Sequence, residues 1–107
     1  MILAVSPRPA AVRDVEEAVD YYLGEAGQGV ADRFVDALEA AYDRLSRTPG
    51  VGSPLLGSGL GFPGLRTWPV PGFPYLVCYE AGDHGVNVWR VLHAQRDLGA
   101  ALSADTH

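Results

Sequence analysis

The chain reads as one α+β domain. An N-terminal strand leads into a helical hairpin, then a three-stranded antiparallel meander, with the helices packed on one face of the sheet and a short C-terminal helix at the end. Three observations predict this. Two long stretches repeat apolar residues at helical spacing, three later stretches are rich in strand formers, and the turns between those three are short. A hydrophobic share of 48% over 107 residues supplies one core, so residues 1–107 form a single domain.

The elements follow in order. Ile2 to Val5 is a short apolar run and a first strand. Ser6-Pro7 is a helix-start signal, because serine caps free amides and proline is tolerated in the first turn. Val12, Val15, Val19, Tyr22 and Leu23 then recur at helical spacing as the face that meets the sheet. Gly24 to Gly29 breaks the pattern. A second helix carries Val30, Phe34, Leu38, Ala41 and Leu45 on one stripe, with Arg44 and Arg47 near the C-terminal end, where the helix dipole favours cations. Thr48-Pro49-Gly50 stops it. Val51 to Gly64 reads as a glycine-rich loop.

Leu65 to Val70 is the first strand of the meander. Pro69 and Pro71 lack the ladder donor, which places this strand at an edge or a bulge. Tyr75 to Glu80 follows, with Tyr75, Val77 and Tyr79 on one face and Leu76 and Cys78 on the other. Val86 to Leu92 is apolar on both faces and belongs in the middle of the sheet. Leu98 to Leu102 forms the short terminal helix, and residues 103–107 are a frayed tail.

Composition narrows the function classes. The net charge is −5, with eight arginines and no lysine. Proteins that grip nucleic acid through phosphates carry a basic patch, so this balance argues against direct nucleic-acid binding. No run is long enough to span a membrane, and the first residues lack the basic start and apolar run of a secretion signal. With one cysteine, Cys78, there is no disulfide framework, and the expected location is the cytoplasm.

Most catalytic constellations fail. Gly57-Ser58-Gly59-Leu60-Gly61 runs into Phe62-Pro63 instead of opening a helix, against a phosphate loop. His84, His93 and His107 lack ligand spacing, so no metal and no cofactor is expected. Cys78 lies inside a strand and reads as core. What survives is a polar set: Arg66, Arg90, His93, Gln95, Arg96 and Asp97. One reading is a small arginine/histidine site for phosphate or a carboxylate-rich partner. The other is an Arg–Asp network tying the C-terminal segment to the sheet, the reading preferred for Asp97. Arg90 sits amid apolar neighbours, so it either faces solvent or has a partner. Adjacent Tyr21 and Tyr22 must point in different directions, one to the core and one to a rim.

Four pieces in order resemble the RelE/ParE superfamily of toxins from bacterial toxin–antitoxin pairs. They are Ser6-Pro7 with Asp14-Val15-Glu16-Glu17-Ala18 and Tyr21-Tyr22; Ala31-Asp32-Arg33-Phe34 with Pro49-Gly50; Gly64-Leu65-Arg66 with Tyr75-Leu76-Val77-Cys78-Tyr79; and Arg90-Val91-Leu92-His93-Ala94-Gln95-Arg96-Asp97. The ParE branch is the closer one, because only Arg66 is basic in the meander before Arg90. The acidic balance departs from many superfamily members, which are basic. The resemblance implies a plasmid-stabilisation-like toxin that binds DNA gyrase, a cognate ParD-like antitoxin, and self-pairing as a homodimer when free. It implies no catalytic residue. Partner binding is expected at Tyr21, Tyr22, Arg66, Trp68, Arg90 and Arg96, with the proline-bearing strand edge and the helix rim as docking surfaces. Two alternatives remain: a ribosome-dependent mRNA endonuclease using Arg66, His93 and Arg96, and a degenerate toxin that only binds its antitoxin.

Overall fold

The computed structural model describes residues 2–96 and 98–104. The elements are β1 (Val5–Pro7), α1 (Pro9–Ala26), α2 (Gln28–Arg47), α3 (Leu55–Leu60), β2 (Leu65–Pro69), β3 (Tyr75–Gly82), β4 (Gly85–His93) and α4 (Leu98–Ala104). One four-stranded sheet has the order β1-β4-β3-β2. β1 runs parallel to β4, and the three later strands form the expected antiparallel meander.

The two long helices lie on one face. There Phe34, Leu38, Ala41 and Leu45 of α2 meet Val77, Tyr79, Val86, Val88 and Val91 of the sheet in the main core. The opposite face is also covered. Cys78, Trp89, Leu92 and Leu65 pack against Ala101 and Leu102 of α4, with Leu56, Leu60 and Phe62 beside them. β4 is therefore buried on both faces, as its uninterrupted apolar run requires.

Four local expectations are corrected. Ser6-Pro7 does not start a helix. Both residues lie in β1, Arg8 N–H extends the ladder to Val88 O at 2.9 Å, and Pro9 opens α1. The break between the long helices is one residue, Gly27 at φ 90°, which no side chain adopts readily. The segment 51–64 is not all loop. Leu56 and Leu60, four apart, bring a short helix onto the second sheet face, and Gly61 at φ 81° ends it. Ser103 and Ala104 belong to α4. Residues 105–107 of the expected tail, and Asp97, lie outside the described residues.

The buried stripe of α1 also differs. Ala11, Asp14 and Ala18 are its buried positions. Small side chains let the helix come close to β4, whereas Val12 and Leu23 stay 43% and 40% exposed. Of the expected stripe, Val15, Val19 and Tyr22 only lean on the core from its margin.

β2 is an edge strand, as its prolines require, but that edge is closed. Thr67 exchanges both backbone hydrogen bonds with Ser53, Leu65 N–H donates to Phe62 O, and Pro69 has no donor. It does not serve as the open docking edge expected of it.

Candidate functional site

The end of β4 and the middle of α1 frame a cleft of about 170 Å³. Asp14, Glu17 and Tyr21 come from α1, Tyr75 from β3, His93 from β4 and Arg96 from the turn beyond. Three features build it.

The first is a bulge. Cys78 pairs with Arg90 and Tyr79 with Val88, leaving Trp89 without an opposite number on β3. A bulge re-aims the side chains beside it. Trp89 faces the second core, where the Arg8 guanidinium lies 4.4 Å from its ring centroid. Arg90 reaches α1.

The second is the Arg90–Asp14 pair. Arg90 Nε donates to Asp14 Oδ2 at 2.7 Å and Nη2 to Oδ1 at 2.8 Å. Oδ2 also accepts Val91 N–H at 3.0 Å, and Arg90 Nη1 donates to Ala101 O at 3.3 Å. The geometry has a simple origin. β1 leaves β4 after Pro7, so further along β4 a ladder donor lacks a strand partner, and the α1 carboxylate takes its place. Arg90 thus has a partner, and it is Asp14.

The third is an aromatic run along the cleft wall. The His93 ring meets Tyr75 edge to face at 5.3 Å, and Tyr75 meets Tyr22 at 6.3 Å. Tyr22 packs on Phe34 and Phe73 and touches Tyr21, which is 59% exposed. Tyr22 is the inward ring of the pair and Tyr21 the rim. His93 Nδ1 accepts Gln95 N–H at 3.2 Å, which places the proton of the neutral ring on Nε2. Burial raises the pKa of Tyr75, helped by Tyr21, Asp14 and Glu17, so this ring stays a neutral hydroxyl donor.

The candidate residues divide between two places. His93 and Arg96 share the cleft, with Tyr21 beside them. Arg66 does not join them. It pairs across from Tyr79, whereas His93 pairs across from Tyr75, so ~13 Å of strand separates the two positions. Arg66 Nη1 instead donates to Gly52 O at 2.7 Å. Trp68, further along β2, lies under the Arg44 guanidinium at 5.8 Å. Sequence reasoning missed Asp14, Tyr75 and Tyr79. The one clue to Asp14 was its place between Ala11 and Ala18, a small-residue stripe that lets a helix approach a strand closely.

Among the described residues, no group of three His, Cys, Asp or Glu could hold a metal ion. No described helix is long and apolar enough to cross a membrane.

A helical hairpin on a mixed sheet, with a small cleft lined by one histidine, one exposed arginine, two carboxylates and two tyrosines, defines a compact α+β domain. The chain belongs to the family described as the ParE toxin of the type II toxin–antitoxin system parDE, which it matches over residues 5–98. A solved chain described as a chromosomal ParDE toxin–antitoxin system from P. aeruginosa is similar in fold. Its TM-score is 0.74 at 18% identity, covering 88% of this chain and 98% of that one. No curated protein matches this sequence.

Proposed function

We propose that this toxin arrests growth in the cytoplasm by binding DNA gyrase through the cleft at the end of β4, and that a cognate antitoxin neutralises it. Membership of the ParE family supports the reading, and the placement of the cations carries it. RNA cleavage draws on converging cations for its charged transition state. Here Arg66 is committed to Gly52 O, Arg90 is held by Asp14, and Arg96 is the one arginine among the described residues that lines the cleft with His93. The cleft offers recognition groups instead. Tyr21 and Arg96 make the contact, while Tyr22 and Arg90 hold the walls.

A supercoiling assay with purified protein tests this. Inhibition with accumulation of cleaved complex is expected, weakened in Tyr21→Ala and Arg96→Ala. No inhibition and no cleaved complex at micromolar protein refutes it. Ribosome-dependent mRNA cuts that vanish in Arg96→Ala would assign the nuclease activity, and harmless expression would assign a degenerate toxin.

A further inference from the structure

We infer that His93 is a positioning residue: its neutral ring holds the turn that presents Arg96, and protonation of the ring releases that turn. The inference rests on the gyrase reading only for what Arg96 touches. Its physical basis is the hydrogen bonding of residues 93–96 and the packing of the His93 ring.

The chain leaves the sheet at this point. Tyr75 pairs with His93 where β3 begins and β4 ends. Ala94 N–H makes one further bond, to Pro74 O at 2.8 Å. Two backbone amides then lie between the sheet and the Arg96 side chain, and both end on His93. Gln95 N–H donates to His93 Nδ1 at 3.2 Å, and Arg96 N–H donates to His93 O at 3.0 Å. The second bond closes a four-residue turn. The first lets the ring stand in for a backbone acceptor, as aspartate and asparagine side chains do two residues ahead of an amide. The ring is itself held in place. Tyr75 meets it edge to face at 5.3 Å and 73°, and Phe34 and Tyr22 back Tyr75.

The turn decides where the guanidinium stands. Arg96 is exposed, and among the described residues no hydrogen bond or ion pair holds its side chain. Its place in the cleft with Glu17 and Tyr21 is therefore set by its backbone, and the backbone by His93.

The chemistry of the ring makes this conditional. A neutral imidazole accepts at one nitrogen, whereas imidazolium donates at both. Protonation sets an N–H at Nδ1 against Gln95 N–H, two donors facing each other. Flipping the ring brings a carbon to that place, so neither orientation of the charged ring restores the acceptor. The Gln95 amide is exposed and turns to water, so the turn opens while the sheet stays intact. The ionisable groups lining the cleft with the ring are Asp14, Glu17 and Tyr21 of α1, Tyr75 of β3 and Arg96. Asp14 is closed on Arg90 and Tyr75 stays a neutral hydroxyl, which leaves Glu17 and Arg96 as charges of opposite sign around it. Presentation of Arg96 is complete with the ring neutral and is lost as pH falls through its titration.

Amide NMR of the full chain tests this between about pH 8 and about pH 5, the range in which imidazole changes charge. The Gln95 and Arg96 amides are expected to shift together with protonation of the His93 ring, while Ala94, bonded to Pro74 O, stays put. His93→Asn places an oxygen where Nδ1 stands and has no proton to gain, so its Gln95 and Arg96 amides should stay in the closed-turn positions at every pH. His93→Gln places its oxygen at the Nε2 position and should show the open turn throughout. Supercoiling inhibition at both ends of the range carries the result to the target. The parent should weaken ~10-fold relative to His93→Asn at the acid end and match it at the other. Taking the ratio to His93→Asn cancels the pH response of gyrase itself. Gln95 and Arg96 amides that ignore the ring's protonation, or a His93→Asn variant that behaves as His93→Gln, overturn the inference. The titration of the parent needs no substitution, so a variant that fails to fold leaves the test standing. If the parent inhibits gyrase at neither pH, the gyrase reading fails and the amides alone decide the role of His93.

Discussion

Asp14 and Arg90, 76 residues apart in the chain, close on each other with two hydrogen bonds of 2.7 and 2.8 Å. Their side chains are 6% and 13% exposed, so the pair is largely out of water. It joins the helical layer to the central strand of the sheet. A buried pair of this kind is weak evidence of net stabilisation, but removing one member leaves a buried charge without compensation. Asp14→Ala should therefore cost about 3–5 kcal/mol in urea unfolding. Asp14→Leu with Arg90→Met should cost clearly less. Equal costs would show that packing, not charge, is lost in the single variant.

The Tyr79 hydroxyl fixes the loop after α2. It accepts Gly52 N–H at 2.9 Å and donates to Pro49 O at 2.7 Å, inside a residue with no exposed surface. Tyr79→Phe leaves the buried Gly52 amide and the half-buried Pro49 carbonyl without this partner and should cost about 1–3 kcal/mol. Amide exchange at Gly52 should accelerate along with the fall in the unfolding midpoint. Unchanged exchange there would detach the loop from Tyr79.

What the sequence made legible is what periodicity reports. Val77 and Tyr79 against Cys78, the central place of β4 and the edge place of β2 all follow from alternation and proline chemistry. What it hid is what depends on distant partners. The apolar count on α1 favours Val12, Val15 and Val19. Yet the sheet takes Ala11, Asp14 and Ala18, because close approach to β4 rewards small side chains and an acceptor for Val91 N–H. Arg90 announced that it needed a partner, but nothing local names a carboxylate on the first helix. The second core hid α3, because Leu56 and Leu60 sit among glycines that suggest a loop.

Alkaline pH should destabilise the protein in a defined window. Burial pushes the Cys78 thiol from its ordinary 9.0 up to about 12, with Asp14 adding to the rise. Burial likewise pushes Tyr42 from 10.0 up to about 12. Both groups are neutral when protonated, so the folded state holds its protons longer than the unfolded one. Their contribution is whole below pH 9 and is lost as pH rises toward 12. Cys78 adds a slope of about −1.4 kcal/mol per pH unit from pH 9.0 to about 12, and Tyr42 a similar one from pH 10.0 to about 12. Urea midpoints taken across it should fall, and Cys78→Ala should flatten the fall. A thiol reagent at neutral pH should leave the folded chain unmodified. Rapid labelling there would contradict the burial of Cys78.

Arg66 and Arg96 should separate stability from activity. Arg66 holds Gly52 O through a charged donor, and that bond ties β2 to the loop fixed by Tyr79. Losing it should cost about 1.5–3 kcal/mol, so Arg66→Ala should unfold earlier. Its growth arrest should fall only as far as its folded fraction falls. Arg96 is exposed beside His93 and Tyr21. Arg96→Ala should unfold within about 0.5 kcal/mol of the parent, as exposed substitutions do. Growth arrest by Arg96→Ala should nevertheless drop at equal protein level, because the proposed contact surface includes its guanidinium. Denaturation midpoints and arrest, measured on both variants, decide the matter. If Arg66→Ala loses activity while fully folded, Arg66 touches the target, and the contact surface extends across the sheet to β2. If Arg96→Ala retains full activity, the cleft at the end of β4 is not where the target binds.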